Sequence, residues 1–489
     1  MRSVQDEAPS SGSDVRIRRA ALLVSVLASF LTPFMGSSVN IALPAIGREF
    51  NLTAVSLGWI ATAYLLAAAV FLVSFGRLAD IVGRKKIFSL GLVVYTAASL
   101  LSALSLSAPM LIAGRLAQGL GAAMIFATGV AILSSVYPPG SRGKALGINT
   151  AAVYLGLSLG PVLGGFLVQN FGWRSIFWVN VPLGLAALAY LGARLEGEWA
   201  EAKGERFDVW GAVAYGLGLA AFMYGFSRLP SWPAALLAAA GIMLLAAFAV
   251  WETRTTAPLL DVRLFLQNRV FAFSNLAALI NYSATYAAGF LLSLYLQYNL
   301  GFGPQAAGLI LIIRPLIMAA CSPAAGRISD RIEPRILASA GMGLSAAGLG
   351  VFAFLGPGSS TAFLAFGLAL LGLGFGLFAS PNTNAIMGSV KRRHFGVAAA
   401  ALGTMRLTGQ MLSLGITTTI LSVIMGRVPV SVGNLDLLLR SVRTAFAVFA
   451  VLCVAGMLAS LARGNRGADA EAAIEAGIRE DAGGDESRV

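Results

Sequence analysis

Cysteine and histidine are nearly absent from this chain, with two and one respectively in 489 residues. Cys321 and Cys453 stand far apart inside apolar runs. Neither has the spacing of a metal site or a disulfide framework, so no redox or metal chemistry is expected. Charge is also scarce, at 12% of residues, whereas soluble domains carry roughly a quarter. Acids are the rarer sign, 22 against 35 basic residues. They fall in loops, tails and helix ends, and none lies in the middle of an apolar run. No nucleophile stands with a base, and no phosphate-binding glycine loop sits in a strand-to-helix context. An enzyme is therefore not expected, nor is a cofactor.

What the chain has instead is apolar length. Hydrophobic residues make up 57% of it, the mean hydropathy is +0.79, and a helix crossing a bilayer needs about 20 mostly apolar residues. Fourteen such runs can be traced, the first from residue 20 to 41. That run follows Arg16, Arg18 and Arg19 and passes Asn40 without a small-residue cleavage site, so it reads as a spanning helix and not as a signal peptide. The fold class expected is an all-α polytopic membrane protein. Its parts would be a tail at 1–19, six helices over 20–193, a linker with two helices over 194–252, six more helices over 253–463, and a disordered tail at 464–489.

The formal net charge of +13 would suggest nucleic acid for a soluble protein, but its distribution favours topology. Of the 35 basic residues, 26 fall in the tails and in the loops on the same side as the tails, and six fall opposite. Cytoplasmic loops retain Lys and Arg, so both termini are expected in the cytoplasm. One missed helix would invert the alternation from that point onward. Lipid is thus the expected environment, nucleic acid is not an expected partner, and a monomer in the cytoplasmic membrane is the simplest reading.

A repeat appears at a shift of 250 residues, where Gly76-Arg77-Leu78-Ala79-Asp80 overlies Gly326-Arg327-Ile328-Ser329-Asp330. Both pentads follow the second helix of a six-helix set, and Arg331 follows the second as further charge. The first continues through Gly83, Arg84 and Lys85. Its glycines give a tight turn, and its cations can pair with Asp80 or with carbonyls at neighbouring helix ends. Such a network can serve as a breakable latch, although a loop charged only for topology remains an alternative. In the fifth run, Gly156, Gly160 and Gly164 recur every four residues and form a stripe without side chains. Pro161 weakens the backbone ladder there, and Gly165 adds to the pattern.

These stretches resemble the signatures of the major facilitator superfamily, and in particular its fourteen-helix drug:proton antiporter branch. Residues 76–86 resemble the loop between helices 2 and 3, Arg115-Leu116-Ala117-Gln118-Gly119-Leu120-Gly121-Ala122-Ala123 resembles the helix 4 motif, and residues 156–165 resemble the exporter motif of helix 5. Trp173 to Pro182 is similar to that branch as well. The resemblance implies two six-helix halves plus an inserted pair, a substrate path between the halves, and export of a small molecule by rocking of one half against the other. Protons or another counter-ion would be the coupling partner.

The chain departs from that branch at one point. An acid usually precedes the segment Asn40-Ile41-Ala42-Leu43-Pro44, but Phe34, Met35, Gly36, Ser37 and Ser38 stand there. Arg115, Arg314 and Arg406 are instead the charged residues inside apolar runs. Each is costly in hydrocarbon and should face a cavity or a polar partner. Gln118 and Gln410 share a helical face with Arg115 and Arg406. For Arg115 a structural anchor and a substrate contact stay equally open, whereas Arg314 and Arg406 are expected to face the cavity. Asn40, Tyr64, Asn275, Tyr282 and Tyr286 are further lining candidates. Three functions are therefore open: an exporter of a small organic molecule, an organic-anion carrier or exchanger using the arginines, and a sensor or scaffold that has lost transport. Neutral or anionic compounds should be preferred to quaternary-ammonium drugs.

Overall fold

The computed structural model describes residues 12–462 except 230, 256–257, 261, 330–331, 391–394, 427, 429 and 431, and no side chain is described at 12–14, 139–144, 395–396 or 432. Both expected tails therefore lie largely outside the described residues. Among the described residues, fourteen helices are long and apolar enough to cross a membrane. They are α1 (Val15–Phe50), α2 (Ala54–Val82), α3 (Arg84–Ala103), α4 (Ala108–Val136), α5 (Ala145–Phe171), α6 (Ser175–Arg194), α7 (Val209–Ser227), α8 (Trp232–Glu252), α9 (Arg269–Asn299), α10 (Pro304–Ser329), α11 (Pro334–Ala353), α12 (Thr361–Gly388), α13 (Val397–Met425) and α14 (Leu435–Leu461).

Polar side chains mark several helix starts. Thr53 accepts from Ser56 N, Asp208 from Gly211 N, Asn268 from Phe271 N and Ser360 from Phe363 N, each satisfying a donor that the first helical turn leaves open. A single residue, Gly83, links α2 to α3. Its φ of +128° is a region that side-chain-bearing residues rarely enter. The first helix extends well beyond the expected 20–41 at both ends, because Pro44 sits inside it without stopping it.

Two sets of six helices repeat one packing scheme. In the first set α1 packs on α5 and α6, α2 on α4, and α3 on α4 and α6. In the second α9 packs on α13 and α14, α10 on α12, and α11 on α12 and α14, the same scheme displaced by eight helices. The halves meet along two equivalent seams, α2 with α13 and α5 with α10. The inserted α7 and α8 pack on each other, and α7 lies over the α2–α13 seam. There Tyr215 donates to the Ala69 carbonyl at 3.2 Å and Thr419 donates to the Phe226 carbonyl at 3.1 Å.

Two helices of the second half are broken near mid-depth. In α9 the helix stops at Thr285 and resumes at Ala288, then ends in a π-helical turn, Tyr295–Asn299. In α10 it is interrupted at Ile312. Pro315 has no N–H for the Leu311 carbonyl, so the first segment ends at that residue. Irregular backbone at this depth persists only where protein or water satisfies it. In α9, Arg314 donates to the Thr285 carbonyl and Ser413 accepts from Ala287 N.

Candidate functional site: a central cluster of arginines and aromatic rings

The three intramembrane arginines have different surroundings. Arg115 on α4 is 1% exposed. Its Nε donates to the Ile60 carbonyl at 3.2 Å and its Nη1 donates to Gln118 Oε1, while Gln118 Nε2 donates to Ser99 Oγ at 2.8 Å. The guanidinium also lies 4.4 Å from the centre of the Tyr64 ring. Arg115 thereby joins α2, α3 and α4, which is the anchor geometry.

Arg314 and Arg406 are only partly buried. Arg314 Nη1 reaches the Thr285 carbonyl at 2.8 Å, where the α9 break places the negative end of a helix dipole. Its Cζ lies 5.8 Å from the Phe375 ring centre, and Phe375 packs edge-on to Tyr282 at 5.4 Å. Arg406 lies beside Tyr282 and 5.7 Å from the ring of Phe126, which belongs to the other half. Among the described residues no carboxylate lies within ion-pair distance of either arginine; the five pairs described involve Arg77, Arg84, Arg174 and Arg335. Tyr286 sits half-buried at the α9 break. The Tyr64 hydroxyl is buried without a hydrogen-bond partner.

The other expected lining residues have varied surroundings. Asn40 is at the seam, where its carbonyl accepts from Ser293 Oγ at 2.7 Å. The Asn275 amide is fully buried and donates to Phe271 within its own helix. Gln410 is half-buried on α13. An open groove of about 520 Å³ lies between α11 and α14 and is lined by Gly343, Ala346, Val454 and other apolar residues. None of the clustered groups borders it. Phe126 and Phe375 escaped the sequence reading, because an aromatic residue in an apolar helix carries no periodic mark of what it faces.

The exporter-like stripe of α5 serves two surfaces. A side chain at Gly156 would meet the Phe30 carbonyl at 2.5 Å, one at Gly160 would meet the Ser37 hydroxyl, and one at Gly164 would meet Ser38 at 2.8 Å, so this face rests on α1. Gly165 faces the other half, where the Pro304 carbonyl is 2.5 Å from the place of a Cβ. The Pro161 carbonyl in turn fills the space beside Gly308. Further contacts join the halves at this end of the bundle. Gln297 Nε2 donates to the Ile41 carbonyl at 3.1 Å, Tyr298 donates to the Pro44 carbonyl at 3.3 Å, and Arg48 lies 5.5 Å from the Tyr298 ring.

At the opposite end, Arg84 is held by Asp80 at 2.7 Å and by Ser135 Oγ at 2.5 Å. The segment 195–208, between α6 and α7, closes over this loop. Glu201 pairs with Arg84 at 2.7 Å and Glu205 with Arg77 at 2.5 Å. Glu198 accepts from Lys85 N, and Lys85 Nζ donates to the Leu195 carbonyl. Two backbone bonds, Arg84 N to the Trp199 carbonyl and Ala202 N to the Asp80 carbonyl, complete the strap. A side chain on Gly83 would collide with Glu198. The described polar partners of the first loop thus lie in its own half and in this acidic strap. The second loop does not repeat the arrangement visibly: Asp330 and Arg331 lie outside the described residues, Gly326 and Arg327 end α10, and Gly326 faces Ser380.

The sequence matches the family described as Major Facilitator Superfamily over residues 25–213 and 275–480. The chain belongs to that superfamily. Among its relatives is the riboflavin transporter RibZ of Clostridioides difficile, 32% identical over 79% of this chain and 84% of that one. Another is the multidrug resistance protein Stp of Mycobacterium tuberculosis, 30% identical over 83% of this chain and 76% of that one. A crystal structure of a bacterial homologue of the human lysosomal transporter Spinster superposes with a TM-score of 0.66 at 17% identity, covering 92% of this chain and 98% of that one, which shows a shared fold. Transport of small molecules across a membrane is what this family does. The chain is accordingly a multi-pass membrane transporter.

Proposed function

We propose that the chain exports small organic molecules across the cytoplasmic membrane by alternating access, with both termini and the 76–86 loop in the cytoplasm. The observation that carries this reading is an asymmetry along the bundle axis. At the end near Asn40 and Tyr298 the halves are joined by the contacts just described, whereas at mid-depth Arg314, Arg406, Tyr282 and Phe126 are only partly buried. Such a molecule opens toward the side where basic residues gather, and loads from there. The glycine stripe of α5, set against both α1 and α10, lets one half pivot closely on the other. The 76–86 loop with its acidic strap would be the inner latch, 326–335 its counterpart, and residues 194–252 a unit joining the halves. Protons or another counter-ion drive the cycle in this reading, and a monomer suffices for it.

The decisive experiment uses purified protein in liposomes, with transport of a labelled aromatic compound followed with and without an imposed pH gradient. Concentrative movement that collapses with the gradient is expected. Complete absence of transport from correctly folded protein, for every compound tried, would favour the sensor or scaffold alternative. Tags at residues 1 and 489 should resist protease in right-side-out vesicles, and cleavage of either from outside contradicts the topology.

A further inference from the structure

Arg314 and Arg406 bear cations that the described protein does not neutralise. Arg314 uses one donor on the Thr285 carbonyl, and Arg406 lies beside Tyr282 and 5.7 Å from the Phe126 ring. A guanidinium offers five donors in a fork that matches an oxyanion. Arg115 shows the alternative within the same molecule: it is fully buried, joined to Gln118 and Ile60, and stacked on Tyr64. An arginine retained at mid-depth for structure alone would be expected to look like that one.

Rings stand beside the two open cations. Phe375 and Tyr282 form a pair on the second half, with Arg314 beside Phe375 and Arg406 beside Tyr282, and Phe126 of the first half closes over Arg406. The buried, unpartnered Tyr64 hydroxyl, whose ring lies under Arg115, adds a donor or acceptor. Ring faces and edges take planar aromatic bodies, and two neighbouring positive charges repel a cationic one.

We propose that the transported compounds are aromatic organic anions, whose acidic group is held by Arg406 and Arg314 and whose ring system packs against Tyr282, Phe375 and Phe126. This rests on the transport reading above. It also makes the substrate a participant in closing the cavity. When the halves close and water leaves, two guanidiniums would be stranded in low dielectric unless an anion leaves solution with them. An empty carrier should therefore close with difficulty, and an anion-loaded one readily.

The test uses the full-length protein and three matched probes: naphthalene-2-sulfonate, the neutral naphthalene-2-sulfonamide and the cation N-methylquinolinium. Calorimetric binding in detergent should give the sulfonate at least tenfold tighter than either other probe. Arg406→Gln and Arg314→Gln should each weaken the sulfonate at least tenfold and leave the sulfonamide within twofold. Arg406→Lys, which keeps the charge and loses the fork, should fall between. Phe375→Leu should weaken sulfonate and sulfonamide together by about threefold. N-methylquinolinium binding as tightly as the sulfonate, no binding of any probe at millimolar concentration, or an unchanged sulfonate-to-sulfonamide ratio in both arginine variants overturns the proposal. Liposome flux separates the two levels. Anion-selective binding without flux of any probe refutes transport and leaves the site standing, whereas flux of the neutral or cationic probe in preference to the sulfonate refutes the site and leaves transport standing.

Discussion

The two halves are built on one packing scheme, yet they treat intramembrane arginine in opposite ways. In the first half Arg115 is sealed among Ile60, Gln118 and Tyr64, and binds three helices into one body. In the second half Arg314 and Arg406 stay partly open, at a broken helix and beside a ring pair. The first half thus spends its arginine on rigidity and the second keeps its arginines available. A repeat can preserve an architecture while its members take up different work, because helix packing fixes the backbone and leaves each buried polar group to find its own partner.

Several variants would sharpen or break that contrast. The largest effect on stability is expected for Arg115→Leu, which leaves Gln118, Ser99 and the Ile60 carbonyl to be satisfied anew. A loss of about 3 kcal/mol is expected, read as a lowered unfolding midpoint in detergent and less folded protein in the membrane, while Arg406→Leu should leave the midpoint unchanged or raised. Equal destabilisation by both would erase the distinction between halves. Next comes Arg84→Ala, at the strap end of the first half, which removes bonds to Asp80, Ser135 and Glu201. It should cost about 1–2 kcal/mol and slow transport at least tenfold with protein still in the membrane, and Asp80→Asn should act in the same direction. Wild-type rates in both would mean that the loop serves topology alone. Gln118→Ala should cost about 1 kcal/mol and spare the anion preference; a changed preference would place Arg115 in the substrate path. The smallest effect is expected for Glu201→Gln, whose carboxylate is 68% exposed, so that denaturation should register no more than about 0.5 kcal/mol.

The number of helices and the family were legible in the sequence because bilayer thickness and loop charge impose periodic, local signals. The glycine stripe was legible for a similar reason: a spacing of four residues states that something approaches, and α1 is what approaches. The break in α10 has a local cause in Pro315, which lacks the N–H for the Leu311 carbonyl. The break in α9 has none, because Tyr286 and Ala287 carry no backbone signal and the interruption is stabilised by Arg314 and Ser413, which come from elsewhere in the chain. The acidic strap was hidden for the same reason. Glu198, Glu201 and Glu205 read as an ordinary polar linker, and only folding brings them onto Arg77, Arg84 and Lys85. The sequence left the role of Arg115 open, and only the neighbouring helices, with the Ile60 carbonyl and the Tyr64 ring, show what it faces.

Alternating access requires the halves to part at the end where Arg48 and Tyr298 now meet. With Cys321 and Cys453 replaced by serine, Arg48→Cys and Tyr298→Cys can be bridged by a short thiol cross-linker in liposomes, and flux measured before bridging, after it, and after release by a reductant-cleavable link. Alternating access predicts flux before bridging, its loss on bridging and its recovery on cleavage. Undiminished flux through the bridged protein would contradict it.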